Sequence, residues 1–230
     1  MKCILPTITT THDSNWKEKI EEIDKLNLEE VALFPTCLNK EERKEMYELL
    51  AKTKLKRIPF VHIRSDFDEE EISWLKEKYQ TKFFNTHSEK LYPLFNSWDK
   101  YKKDFIYLEN THLGFPEDEL KIYAGICIDF SHLENDRLLY PERYEQSLQI
   151  IKKVKIGCAH LSAIRSENRF DEKEELRYDF HKLNNLSDMD YLKNYSQEYF
   201  PEYMAIELEN SLEEQIEIKK YLQNIINVTQ

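Results

Sequence analysis

Glycine is scarce in this sequence, with 3 residues among 230. Open, doubly wound α/β sheets normally bind nucleotides through a glycine-rich loop, because glycine lets the backbone approach the phosphates closely. So few glycines disfavour that architecture for this chain.

Cysteine is nearly as rare, and its pattern excludes a dense disulfide framework. The sequence has four cysteines and no CxxC pair: Cys3, Cys37, Cys127 and Cys158. We expect reduced thiols that pack as small apolar side chains, rather than disulfides or thiolate metal ligands.

Basic residues and long apolar runs are also limited. Lys and Arg number 33 against 44 Asp and Glu, which gives a formal net charge of −11. That balance disfavours a general nucleic-acid binder, although a local basic groove is compatible with it. The first residues lack the apolar core of a signal peptide, and no run approaches the ~18 apolar residues of a membrane span. We therefore expect a cytoplasmic protein with no membrane partner.

The sequence does contain a regular alternation of short apolar segments with longer amphipathic ones. This alternation is typical of a parallel sheet covered by helices. Eight segments are candidate strands: 2–9, 30–36, 57–63, 82–87, 105–111, 124–130, 154–160 and 203–209. Eight β/α units without a linker predict an α/β fold, a compact (β/α)8 TIM barrel that forms one domain over residues 1–230.

Capping residues place helices between these strands. Helices are predicted to begin near or just after five residues: Ser14, Asn39, Asp68, Pro141 and Ser211. Some covering helices are shortened or missing, because Pro93 interrupts one and the 112–123 connection is too short for another. A long loop, 161–202, follows the seventh strand, and we expect it to contain a helix near 187–199.

The seven histidines are distributed unlike scattered structural residues. They are His12, His62, His87, His112, His132, His160 and His181, and six of them lie at or just beyond the C-terminal end of a predicted strand. In a barrel these ends open onto one face, where active sites form. His12 and His112 can equally be ordinary loop residues.

Side-chain alternation places a potential ligand in each inward row. The predicted inward rows are Cys127 and Asp129; Ile156, Cys158 and His160; Phe60 and His62; Phe83, Asn85 and His87; Phe105, Tyr107 and Glu109; and Ala205, Glu207 and Glu209. Carboxylates that converge in an apolar pocket repel one another and are costly to desolvate, and a divalent cation removes both costs. We therefore predict a metal site at Glu109, Asp129, His160 and Glu207.

Simpler interpretations stay open for some residues. Asp179 and His181 lie in a charged segment, ENRFDEKEELRYDFH, where a solvated face is the default explanation. Glu209 can be a hydrogen-bond partner of the site instead of a ligand.

Four segments resemble motifs of the xylose-isomerase-like barrels, a superfamily of sugar isomerases and epimerases that also includes endonuclease IV. They are GICIDFSH (125–132), IYLEN (106–110), CAHLS (158–162) and AIELEN (205–210). In the isomerases and epimerases, the resemblance implies one divalent metal held by Glu109, Asp129, His160 and Glu207, with His132 in contact with the substrate.

The endonuclease IV branch implies a larger site. There the four ligands are joined by His62, His87, His132, Asp179 and His181, and the nine hold three zinc ions. The chain departs from that pattern after His160, where it continues Leu161, Ser162, Ala163 instead of placing an acidic residue nearby. The separation of Glu109 from Asp129 is also short for the insertions with which that enzyme holds DNA.

Two enzymatic hypotheses and one non-enzymatic hypothesis follow. The leading one is a divalent-metal-dependent isomerase or epimerase of a small sugar or sugar phosphate, in which Glu109 and Glu207 exchange a proton through an enediolate. His62, His132 and Arg64 would orient the substrate. The alternative is an endonuclease-IV-like phosphodiester hydrolase of the abasic-site type, and the third is a non-catalytic binding protein on the same barrel.

The hypotheses differ in cofactor and partner. Zinc or manganese is the expected ion, with one per chain in an isomerase and two or three in a hydrolase. The expected partner is a small-molecule sugar, whereas nucleic acid enters only with the hydrolase. A homo-oligomer is compatible with every hypothesis.

Overall fold

The computed structural model describes residues 2–11, 13–170 and 175–226. Its strands are β1 (Cys3–Leu5), β2 (Thr7–Thr9), β3 (Ala32–Phe34), β4 (Phe60–His62), β5 (Phe83–Thr86), β6 (Ile106–Glu109), β7 (Ile126–Asp129), β8 (Ile156–Leu161), β9 (Ala163–Phe170), β10 (Leu176–Phe180) and β11 (Tyr203–Ile206). Its helices are α1 (Trp16–Lys25), α2 (Lys40–Leu50), α3 (Glu69–Tyr79), α4 (Asp99–Phe105), α5 (Phe130–Leu139), α6 (Pro141–Ile151) and α7 (Leu212–Ile225), with 3-10 helices at Leu186–Asn194 and Gln197–Tyr199.

The first strand segment brings the two edges of the sheet together, because it pairs on both sides. Pro6 separates β1 from β2, and proline has no amide hydrogen to donate to a ladder. β1 pairs in parallel with β11, whereas β2 pairs in parallel with β3. The sheet order β1-β11-β8-β7-β6-β5-β4-β3-β2 is therefore a nearly closed parallel barrel, and the predicted TIM-barrel fold is confirmed.

The barrel interior is built in two layers. The apolar layer consists of Leu5, Ala32, Phe34, Phe60, Tyr107, Cys127, Cys158 and Ala205. Two residues further along four of these strands lie the buried polar side chains His62, Glu109, Asp129 and His160. This second layer lies at the C-terminal ends of the strands, which is the face where the active sites of TIM barrels form.

Helices cover the outer face where the caps predict them. α2 begins after Asn39, which forms a capping box with Glu42, and α3 begins after Asp68. α7 begins after Ser211 with a second capping box, and α6 has Pro141 in its first turn. α1 begins at Trp16, just after Ser14 as predicted, with Asn15 as its N-cap. No helix in the described ranges is long and apolar enough to cross a membrane.

The segment after the seventh barrel strand differs from its predicted form. The 3-10 helices fall where a helix was expected, but β9 and β10 also form an antiparallel hairpin there. Its strands are partly exposed and rich in charge, so they lack the apolar alternation that predicts a half-buried strand. The hairpin places residues 176–180 beside the barrel instead of in a solvated loop.

Two predicted inward residues face outward. Ile156 packs in the outer apolar cluster with Ile126, because the β7–β8 register shifts between Ile126 and Cys127. Phe105 is the last residue of α4 and packs against the outer cluster that contains Tyr101. The inward positions of Cys127, Cys158 and Tyr107 are as predicted.

Candidate metal centre

Asp129 ends β7 and is also the N-cap of α5. Its Oδ1 accepts hydrogen bonds from the amides of Ser131, at 2.8 Å, and His132, at 2.9 Å. A carboxylate is favoured at this position because the first helical amides lack partners. Oδ2 is buried and has no hydrogen-bond partner among the described residues. One oxygen therefore holds the helix, and the other is left for a ligand.

Asn110 fixes both Asp129 and His132. Its side-chain Oδ1 accepts from the Asp129 amide at 2.7 Å, and its Nδ2 donates to the Asp129 carbonyl at 2.9 Å. The Asn110 carbonyl oxygen lies 3.0 Å from Nδ1 of His132. Because a carbonyl only accepts, Nδ1 carries the proton, and the lone pair of Nε2 stays free to bind a metal.

Glu109 presents its two oxygens to different histidines. Oε1 lies 3.5 Å from Nε2 of His87. Oε2 lies 3.6 Å from Nδ1 of His62 and 3.8 Å from Nδ1 of His160. The side-chain amide of Asn85 donates to Oε2 and holds the carboxylate in place. Glu109 is therefore the centre of the cluster.

Glu207 repeats this arrangement. Its Oε2 lies 3.0 Å from Nδ1 of His160, and its Oε1 lies 3.9 Å from Nδ1 of His181. The His160 ring stacks on Phe34 with centroids 4.5 Å apart, which fixes its plane. Two carboxylates thus connect four histidines.

Asp179 is buried, so the expectation of a solvated face is wrong for this residue. It is 2% exposed, and Arg177 donates to both of its oxygens, at 2.7 and 3.0 Å. Oδ2 also lies 3.9 Å from Nε2 of His132. The amide of Tyr178 donates to Asn135 at 2.8 Å, which ties the hairpin to α5. The hairpin therefore brings Asp179 to the site.

Among the described residues, four overlapping groups of side chains have ligand atoms within 4.8 Å of one another. The groups are His62, His87 and Glu109; His62, His160 and Glu207; Glu109, Cys127 and His160; and Glu109, Asp129 and His132. The four residues predicted as one metal site are spread over these groups. The arrangement is therefore broader than a single four-ligand site.

Burial and charge give the two central histidines opposite protonation. Burial lowers the pKa of His62 to about 3, against the attraction of Glu109. Burial also opposes charge on His160, but Glu109 and Glu207 outweigh it and raise the pKa of His160 to about 10. At neutral pH without a metal, His160 is therefore the charged partner of the carboxylates, and His62 is neutral.

The same contacts shift the pKa values of the carboxylates. Burial would raise the pKa of Glu207, but His160 and His181 outweigh it and lower that pKa to about 2. Burial would also raise the pKa of Glu109, but the nearby histidines, chiefly His160, outweigh it and hold that pKa well below its usual value. Burial raises the pKa of Asp129, and repulsion from Glu207 adds to it. A bound cation would replace the protons that balance these charges.

The residues present fit a divalent metal. Buried ring nitrogens of His62 (Nδ1), His160 (Nε2) and His181 (Nδ1) have no hydrogen-bond partner within the described ranges, and neither does Oδ2 of Asp129. Each such atom costs about 1–3 kcal/mol when left unpaired. Mixed imidazole and carboxylate donors suit Zn²⁺, Mn²⁺, Co²⁺ or Fe²⁺.

A cavity of about 260 Å³ borders this cluster. Its lining residues are Thr36, His62, Ile63, Arg64, Ser65, Thr86, His87 and Tyr92. The Arg64 guanidinium donates to the Leu38 carbonyl at 3.0 Å and lies 3.2 Å from Asp66. Its orientation is therefore fixed at the edge of the cavity.

The remaining sequence candidates have different positions. Glu209 accepts from the Thr11 hydroxyl at 2.7 Å, and its amide donates to the His181 carbonyl at 2.5 Å, so it supports the His181 backbone. His112 belongs to none of the four groups found in the described ranges, and His12 lies outside the described residues.

Sequence reasoning missed two residues that organise the site. Asn110 directly follows Glu109, yet nothing in the sequence shows that its amide bridges to the next strand. Arg177 shares a strand face with Asp179, and the i, i+2 spacing would have indicated this if β10 had been predicted.

No family model matches this chain, and no curated protein matches it in sequence. Among solved structures it is similar to a xylose isomerase-like TIM barrel protein from Mycobacterium smegmatis in complex with magnesium, with 12% identity, 97% of each chain covered and a TM-score of 0.49. It is also similar to an aldo-keto reductase from Bacillus halodurans, with 10% identity, a TM-score of 0.41 and coverage of 98% of this chain and 87% of that one.

The strand order and the buried groups of potential ligands define the class: a TIM barrel with candidate metal-binding clusters at the C-terminal ends of its strands.

Proposed function

We propose that this chain is a phosphodiester hydrolase that uses more than one divalent metal ion. One observation carries the proposal. Glu109 and Glu207 each direct their two oxygens at different histidines, over distances of 3.0–3.9 Å. A carboxylate placed between two sets of ligands can bridge two ions, and ions about 3.5–4 Å apart are typical of phosphoester hydrolases.

Each ion would have its own histidine ligands. His62 and His87 would hold one ion together with Glu109, while His160 and Glu207 would hold another that shares Glu109. Asp129 and His132 extend the cluster further, through the group that they form with Glu109. His181, near Glu207, is the further candidate.

The cations of such a centre activate water as a nucleophile and neutralise the charge that develops on phosphoryl oxygens. The chain itself would orient the ligands. Asn85 holds Glu109, and Asn110 holds both Asp129 and His132. Arg64, at the edge of the cavity, would contact a phosphoryl oxygen, since guanidinium groups bind phosphate well.

A second candidate function is the isomerase or epimerase with a single zinc or manganese ion. The pair between Arg177 and Asp179 favours it, because both Asp179 oxygens are satisfied without a metal. In this case Glu109 and Glu207 would exchange the proton at the sugar carbon. A small sugar or sugar phosphate would then occupy the cavity beside His62 and Arg64.

A panel of substrates and the variant His87→Ala distinguish the two functions. Metal-loaded protein would be assayed with bis(p-nitrophenyl) phosphate, with an oligonucleotide containing an abasic site, and with a panel of ketoses and ketose phosphates. We expect hydrolysis of phosphodiesters, and a loss of at least 100-fold in His87→Ala, because one ion loses a ligand. His112→Ala is the matched control, since it changes a histidine outside the four groups. Turnover of a ketose that persists in His87→Ala, without phosphodiester hydrolysis, would establish the isomerase instead.

A further inference from the structure

Two aromatic side chains are exposed on the segment that follows β5. Tyr92 is 49% exposed and Phe95 is 79% exposed. Exposed apolar side chains that are grouped beside a site often mark where a ligand binds. Tyr92 lines the cavity beside the candidate metal centre, and the backbone amide of Phe95 is bonded to Ser65, another residue of that cavity.

The segment that carries them is held at both ends. The Tyr92 amide donates to the Ser88 carbonyl at 2.9 Å, and the Phe95 amide donates to the Ser65 carbonyl at 3.0 Å. The buried Trp98 indole donates to the Phe67 carbonyl at 2.9 Å. Because the backbone is anchored, the segment itself would lose little conformational freedom when a ligand binds.

Tyr92 packs against a candidate ligand of the metal centre. Its ring centroid lies 5.3 Å from that of His87, at an interplanar angle of 37°. Tyr92 and His87 line the same cavity as Arg64 and Ser65, whose carbonyl anchors Phe95. A fixed guanidinium and an exposed aromatic ring thus border one cavity next to potential metal ligands.

We propose that Tyr92 and Phe95 form a stacking platform that binds a nucleobase of the substrate next to the reacting phosphoester. The proposal rests on the proposed hydrolase function for the identity of the reacting group. The arrangement suits a nucleotide, because the ring stacks on the aromatic side chains while Arg64 binds phosphate. Every base has a flat face, so the platform predicts affinity for nucleotides with little preference among bases.

Binding without turnover tests the platform directly. The probe is 2-aminopurine riboside 5′-monophosphate, whose fluorescence falls when its base stacks, titrated into the zinc-loaded full chain. We expect saturable quenching, and we expect ribose 5-phosphate, which lacks the base, to compete about tenfold more weakly. Tyr92→Leu combined with Phe95→Leu should weaken probe binding about tenfold and leave ribose 5-phosphate binding unchanged.

Three further variants separate stacking from structure. Tyr92→Phe and Tyr92→Trp keep a flat ring and should retain probe binding. Tyr140→Leu is the matched control, because Tyr140 is exposed but lines a different cavity. Equal affinity for the probe and for ribose 5-phosphate in the wild type would overturn the platform, and so would unchanged probe binding in the double variant.

The stacking-platform proposal and the hydrolase proposal can be refuted separately. Methyl p-nitrophenyl phosphate reports hydrolysis without a nucleobase. If the wild type hydrolyses it but the fluorescent probe does not stack, the platform is wrong and the hydrolase stands. If the probe binds in a Tyr92-dependent manner but no phosphodiester is cleaved, the platform stands and the hydrolase is wrong.

Discussion

The Nδ1 atom of His132 lies 3.0 Å from the carbonyl oxygen of Asn110, whose side chain makes two hydrogen bonds to the backbone of Asp129. One asparagine, directly after β6, therefore positions two potential ligands, one on the neighbouring strand and one on the helix that follows it. We expect Asn110→Leu to lower the free energy of unfolding by about 1–3 kcal/mol, since it leaves buried backbone groups unpaired. Urea unfolding of the metal-free protein measures this. Asn224→Leu, on the exposed face of α7, is the control and should change stability by less than about 0.5 kcal/mol.

Asp129 has two roles that different substitutions can separate. Asp129→Asn retains an oxygen that can accept from the α5 amides, whereas Asp129→Ala removes the cap. We expect the metal-free Asn variant to unfold near the wild-type free energy and the Ala variant about 1 kcal/mol lower. Both should bind less zinc in equilibrium dialysis, because both lack the buried oxygen that has no partner. Undiminished zinc binding by the Asn variant would exclude Asp129 as a ligand.

The stability of the metal-free protein should fall in mildly alkaline solution. Glu109 and Glu207 raise the pKa of His160 from 6.5 to about 10 against the effect of burial. A raised pKa gives stability that is fully present below pH 6.5 and lost as the pH rises towards 10. Urea unfolding in chelator from pH 6.5 to 9.5 should show this decline, and His160→Gln should flatten it. If the free energy of unfolding depends equally on pH in the wild type and in His160→Gln, His160 is not charged in the metal-free protein.

His62 should make the metal-free protein less stable in acidic solution, opposite to the effect of His160. Burial lowers its pKa to about 3, so its contribution is present above pH 6.5 and is lost as the pH falls towards 3. His62→Gln should therefore reduce the acid sensitivity of the metal-free protein between pH 6.5 and pH 4. If the variant loses stability on acidification as steeply as the wild type, His62 is not held neutral.

Zinc binding near neutral pH should release protons. His160 is protonated in the metal-free site and must lose its proton to bind a metal. Calorimetric zinc titrations at pH 7.5, in buffers with different ionisation enthalpies, should show net proton release, with less in His160→Gln. A heat of binding that is independent of the buffer would refute this.

The sequence predicts the barrel well because strands and caps are local signals. All eight barrel segments are present, and Asn39, Asp68, Pro141 and Ser211 begin helices as expected. The metal-centre candidates follow from the two-residue period of strands, which places Glu109 and Asp129 above the apolar layer.

The misses have physical causes that are not local. α5 buries polar side chains such as Glu134 and Asp136, so its amphipathic pattern is weak. The hairpin of β9 and β10 depends on pairing between partly exposed, charged strands, and with it the burial of Asp179. The sequence favoured a single-metal site because it shows which residues converge on the face, whereas the direction of each carboxylate oxygen is decided by packing.

Metal stoichiometry tests the central proposal most directly. Elemental analysis of protein purified without chelators, then dialysed against zinc, should give two or three ions per chain. His87→Ala should lose about one ion, and His112→Ala should lose none. A single ion per chain, unchanged by His87→Ala, would contradict a centre in which Glu109 and Glu207 bridge metals.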